Sequence, residues 1–147
     1  MGMALIVPNE GELILLEAAV GKTAAGNTKL KLYTNNYTPA HDDVVGDFTE
    51  FGAVQGYAEK TLAPASWNAA AAGTGTGSSD SNKASITYPQ QTWTFDGTGG
   101  DVTVYGYYIT NDAEDKVIVA EKFATAQTVS ASGDVIKVTP RLTLGTV

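Results

Sequence analysis

The chain contains no cysteine, which removes disulfide staples, thiolate metal sites and cysteine nucleophiles together. Histidine occurs once, as His41, so a zinc site has no second imidazole to draw on. Positive charge is scarce: nine Lys and Arg stand against sixteen Asp and Glu, for a formal net charge of −7. A surface that tracks phosphates needs clustered basic residues. None is present, and nucleic acid is not an expected partner. Long apolar runs are also missing. Residues 3–7 are too few to span a bilayer and lack the basic flank and small-residue cleavage site of a signal peptide. The expectation is a soluble protein with no membrane partner, made in a cytoplasm.

What is present fits one domain over residues 1–147, long enough to bury a core without metal or disulfides. An N-terminal arm and helix take up about residues 1–22. Asn9 is placed to cap that helix, with Glu12 at the reciprocal capping-box position. Leu13, Leu16 and Val20 form one stripe, with Ile14 and Ala18 beside it, and Gly21 is a natural stop. A short apolar helix of this kind is expected to lie on a sheet or on a neighbouring subunit.

Beyond residue 27 the period changes to two. Thr28, Leu30, Leu32 and Thr34 alternate with Lys29, Lys31 and Tyr33, the pattern of a strand with one wetter face. Residues 41–47 read as an exposed acidic loop. Residues 48–51 read as a short element, and a strand ends near Leu62. The stretch after Trp67 is ambiguous between helix and strand, with strand preferred, and the Gly/Ser/Thr-rich residues 73–82 read as a loop. Further strands follow over 83–88 and 91–95. The clearest hairpin joins strands 102–110 and 117–123 through a polar turn. Simple alternation puts Thr103, Tyr105, Tyr107 and Ile109 on one face and Val104, Gly106, Tyr108 and Thr110 on the other. Both faces are apolar, which predicts cover on both sides, the second supplied by another subunit. A last strand runs over 135–144. About eight strands and one helix predict a mainly β chain, an antiparallel β-sandwich or jelly roll with one short N-terminal helix.

Motifs for chemistry are weak. Gly21-Lys22-Thr23 matches only the end of a phosphate-binding loop, and the first glycine of that motif would fall at Leu16. His41 beside Asp42 and Asp43 reads as an exposed loop histidine. No serine sits in a G-x-S-x-G elbow. Glu121 is the one acid set between apolar strand residues, and burial there would demand a partner. Asp112, Glu114 and Asp115 lack calcium-loop spacing and read as a solvated turn. The aromatics read as packing or interface residues before they read as a sugar-binding face. No catalytic residue, cofactor or metal is expected. The residues singled out for packing or interfaces are Leu13, Leu16, Tyr33, Trp93, Tyr105, Tyr107, Tyr108 and Phe123.

Several runs together carry a resemblance: Leu5-Ile6-Val7-Pro8-Asn9-Glu10-Gly11-Glu12, the stretch from Leu30 to Pro39, Gly56-Tyr57, Trp93-Thr94-Phe95, Val104-Tyr105-Gly106-Tyr107-Tyr108-Ile109-Thr110, Ala120-Glu121-Lys122-Phe123 and Ile136-Lys137-Val138-Thr139-Pro140. In this order the chain resembles small β-rich structural proteins of tailed bacteriophages, including the cement proteins that decorate capsids. The resemblance implies a virion protein on the outer capsid surface, with the major capsid protein as partner and a homo-oligomer, a trimer favoured. A tail, baseplate or fibre-associated adaptor or receptor-binding protein is the alternative it leaves open.

Overall fold

The computed structural model describes residues 5–73 and 83–144. Among these the chain is mainly β and sandwich-like, with one α-helix and antiparallel strand pairs throughout. The helix α1 (Asn9–Ala19) precedes β1 (Thr28–Tyr33), β2 (Lys60–Leu62), β3 (Ala84–Thr87), β4 (Gln91–Asp96), β5 (Val102–Asn111), β6 (Val117–Val129), β7 (Ser132–Val138) and β8 (Arg141–Leu144). One layer is a four-stranded sheet in the order β2-β1-β5-β6, and two ribbons, β4-β7 and β3-β8, stand apart from it.

The β4-β7 ribbon shows the expected alternation. Trp93 and Phe95 are buried while Thr92 and Thr94 are exposed, and Ile136 and Val138 are buried while Val135 and Lys137 are exposed. Its apolar side packs in one cluster with Leu30, Leu32, Tyr107 and Ile109 of the large sheet. Trp93 also donates its indole N–H to the Ala58 carbonyl at 2.8 Å, so its one polar atom is satisfied inside the core.

The opposite face of the large sheet is also covered, but by the chain itself. Tyr33, Phe48, Tyr108, Val117 and Ala120 form a second cluster. Phe48 stacks on Tyr108 with centroids 4.8 Å apart and meets Tyr33 edge-on at 5.2 Å. The loop over residues 35–48 therefore supplies the cover that the two-sided hairpin predicted from another subunit. The same cover corrects the reading of β1: Lys31 and Tyr33, placed on a wetter face by alternation, are buried.

Alternation also fails in the middle of β5. Val104 pairs with Gln127 and Gly106 with Lys122, so residues 123–126 stand opposite Tyr105 alone. Beside this bulge the buried face of β5 changes across Gly106. Val104 joins Tyr107 and Ile109 in the first cluster, while Tyr105 packs against the second with Tyr108. The expectation that Tyr105 and Tyr107 share one face is thus corrected: Tyr107 belongs to the first cluster and Tyr105 packs against the second. A second irregularity skips Ile118, between the pairs Ile109/Val119 and Thr110/Val117.

Helix α1 begins differently from its expected cap. Pro8 occupies the cap position and no side chain caps the helix; Asn9 is the first helical residue, and its N–H donates to the His41 carbonyl at 2.8 Å. The end is as expected, with Gly21 at φ 71°. Lys22 N–H bonds the Glu17 carbonyl and Gly21 N–H the Ala18 carbonyl, satisfying the last carbonyls in a Schellman arrangement. The predicted strand after Trp67 is absent; a 3-10 turn over Pro64–Ser66 and an isolated Ala71/Ser85 bridge take its place. Of the predicted loop 73–82, residues 74–82 lie outside the described residues.

Candidate functional site

Three features stand out from the scaffold. The first is a charged knot on the loop-covered side of β1. Lys31, 4% exposed, directs its ammonium to Glu50 Oε2 at 3.0 Å, Glu59 Oε2 at 3.1 Å and Glu114 Oε2 at 2.5 Å. Burial alone would lower the Lys31 pKa, but hydrogen bonds to the three carboxylates outweigh it and hold the pKa above its ordinary value. Lys31 in turn holds the Glu114 carboxyl below the usual range. Glu114 sits at φ 61° in the β5–β6 turn, so this turn is tied to the sheet and is not the freely solvated loop that its composition suggested. Lys29 extends the knot to Glu59 at 3.6 Å and Asp112 at 3.9 Å.

The loop that covers the second cluster is anchored from within by a buried carboxylate. Asp43 is 2% exposed and accepts the Tyr37 hydroxyl at 2.5 Å and the Ala40 N–H at 2.8 Å. The hydrogen bond to Asp43 pushes the Tyr37 pKa up to about 12. The expectation of an exposed, poorly patterned loop over 41–47 is therefore corrected at Asp43, although His41 and Asp42 are exposed.

The second feature is a cleft of about 490 Å³ between the bulged part of β6 and the turn joining β7 to β8. Glu121 lies in its wall, 7% exposed. Its Oε2 accepts the buried Tyr107 hydroxyl at 2.7 Å, and its Oε1 faces an Arg141 guanidinium nitrogen at 3.8 Å. Burial, then the Glu121 charge, raises the Tyr107 pKa, so the phenol stays a donor. Phe123 and Thr125, from the unpaired stretch of β6, line this cleft.

The third feature is the outer face of α1. Leu13, Leu16 and Val20 are 64%, 65% and 80% exposed. The predicted stripe thus points away from the sheet. Contact with β6 is made by the other side of the helix: Gly11 is buried so close that an added Cβ would lie 2.2 Å from the Ile118 carbonyl oxygen. Glu10 reaches across to accept the Val117 N–H at 3.2 Å.

The residues singled out from the sequence therefore divide in three. Tyr33, Trp93, Tyr107 and Tyr108 are core residues, Tyr105 and Phe123 are half-buried, and Leu13 and Leu16 are exposed. The structure brings Tyr107 and Phe123 together at the cleft, ring centroids 6.3 Å apart. Sequence reasoning missed Lys31, Glu50, Glu59, Asp43 and Arg141. A lysine inside an apolar strand next to a buried tyrosine was the one available signal.

Comparison with protein-family models, with curated proteins and with solved structures finds no match for the chain. Among the described residues, no group of three or more His, Asp and Glu is arranged to hold a metal ion, and no helix is long and apolar enough to cross a membrane.

Proposed function

We propose that the chain is a structural protein of a tailed-phage virion, a decoration protein that binds the outer capsid and stabilises contacts between major capsid protein subunits. The resemblance supports the virion context, and most of its quoted runs coincide with the N-terminal segment, β1 and β4 to β7, the strands that build the core. The observation that carries the reading is the outer face of α1. A chain that covers both faces of its large sheet from within still leaves Leu13 and Leu16 of α1, and Val20 at its C-cap, in water. Adjacent exposed leucines on an ordered element mark a contact surface. The partner assigned to that face is the major capsid protein. Binding then acts by buried apolar area and requires no catalysis.

The test is cosedimentation of the purified protein with capsids lacking it. Wild-type protein pellets with capsids and restores their tolerance of heat and osmotic shock. A Leu13→Ser/Leu16→Ser variant, with wild-type melting, stays in the supernatant. Equal binding by both proteins contradicts the helix-face assignment, and absence of wild-type binding contradicts the decoration reading. Self-association lost in the variant would assign the face to a homo-oligomer instead.

A further inference from the structure

The cleft beside Glu121 plays no part in the proposed capsid binding through α1, and two of its lining residues are basic. In a chain of net charge −7, its walls carry Lys137, Arg141 and a single acid, Glu121. Its volume of about 490 Å³ falls in the range of small-ligand sites, roughly 300–1,000 Å³. We propose that this cleft binds one residue of a saccharide that carries a carboxylate.

Three properties point to that ligand class. First, Glu121 and Arg141 are held but incompletely matched. One carboxylate oxygen is engaged by Tyr107, while the other stands 3.8 Å from the guanidinium, beyond hydrogen-bond length. Arg141 therefore retains N–H donors for a second, bidentate acceptor such as a carboxylate. Second, Glu121 Oε1 retains acceptor capacity on the same wall, which suits a hydroxyl donor adjacent to that carboxylate. Thr125, Gln127 and Thr139 add neutral polar groups of both kinds around the rim. Third, Phe123 offers a half-buried ring beside these polar groups, and an aromatic face with polar groups at its edge suits the apolar face of a sugar. A simple inorganic anion would leave Glu121 and Phe123 unused, and a neutral sugar would leave Arg141 and Lys137 unused. A sugar acid uses both.

Rigidity strengthens the case. Glu121 is on β6 opposite Tyr107 of β5, inside the paired ladder, and Arg141 is paired with Thr87. A site whose charged groups sit on paired strands meets its ligand without reordering them.

The experiment titrates the full chain with D-galacturonate and N-acetylneuraminate, with D-galactose and acetate as controls, followed by calorimetry and NMR shift mapping. The expected result is binding of at least one sugar acid, with galactose and acetate weaker by about tenfold or more, as expected when either the charge-assisted or the hydroxyl contacts are lost. Shifts should map to residues 121–127 and 137–141. Lys137 is exposed, so Lys137→Gln keeps the fold and should weaken binding about fivefold or more; Arg141→Gln should weaken it further. No binding of either acid at millimolar concentration, galactose or acetate binding as tightly, shifts mapping elsewhere, or an unaltered affinity in Lys137→Gln would each overturn the proposal. Capsid binding by α1 is measured separately, so failure of one reading leaves the other standing.

Discussion

Replacing Lys31 by methionine removes the ammonium at the centre of the charged knot while keeping a side chain of similar length against the strand. The structure fixes the sign and the size of the effect. Two unit charges about 4 Å apart near a protein surface interact by roughly 4 kcal/mol, and three carboxylates stand at or inside that distance from Lys31. Desolvation of the lysine opposes this gain, and the three carboxylates are 29–39% exposed, so water screens each pair substantially. Removing one partner of a buried network typically costs about 3–5 kcal/mol, and with this screening about 2–3 kcal/mol is expected at pH 7. For a chain of this size that lowers the melting temperature by roughly 5–10 °C. The pH dependence identifies the cause. In the wild type, Glu114 has a folded pKa below its ordinary 4.5, so its contribution is fully present above that value and is lost as pH falls through the lower folded pKa. In Lys31→Met the Glu114 carboxylate has lost that partner, so the variant has no such contribution to lose in acid. The stability gap between the two proteins should therefore narrow as pH falls below 4.5. Urea unfolding at a series of pH values measures this directly. A loss under about 0.5 kcal/mol at pH 7, or a gap that widens in acid, would refute the reasoning.

Other perturbations test the packing around the hairpin. Gly106→Ala places a methyl 2.3 Å from the Glu121 carbonyl oxygen and 2.6 Å from the Tyr33 hydroxyl; overpacking against backbone should cost about 3 kcal/mol or more in urea unfolding. Gly11→Ala, facing the Ile118 carbonyl at 2.2 Å, should loosen α1 from β6, with faster amide exchange at Val117 and across the helix and a smaller global loss. Tyr107→Phe leaves Glu121 Oε2 without its donor at 2.7 Å and should cost about 1–3 kcal/mol in the same assay. Glu114→Gln should destabilise, whereas Asp112→Asn, whose contact with Lys29 is 3.9 Å at an exposed carboxylate, should alter the unfolding midpoint by no more than about 0.5 kcal/mol.

Local regularities were legible in the sequence, and contacts between distant segments were not. The alternation of Trp93 and Phe95 with Thr92 and Thr94 fixed the face of β4, because one side of that ribbon meets water. The stop at Gly21 was readable because the last turn needs a residue that tolerates positive φ. Periodicity located the stripe of α1 but not its neighbour: the buried contact is made through Gly11, which no apolar pattern marks. The face switch in β5 was hidden because the residues on either side of Gly106 continue an unbroken strand pattern in the sequence. Lys31 looked like a solvated strand lysine because Glu114 is far along the chain. The Tyr37–Asp43 bond and the stacking of Phe48 on Tyr108 turned an apparently unpatterned acidic loop into the cover of the second apolar face. That cover also removes the original argument for a second subunit at the hairpin, and moves the candidate partner surface to α1.

A cryo-EM map of the intact virion tests the proposed place of the chain on the capsid. Density for this fold is expected on the outer shell, with Leu13 and Leu16 of α1 and the adjoining Val20 against the major capsid protein. Density for the chain in the tail or baseplate, or a capsid surface without it, would overturn the decoration role.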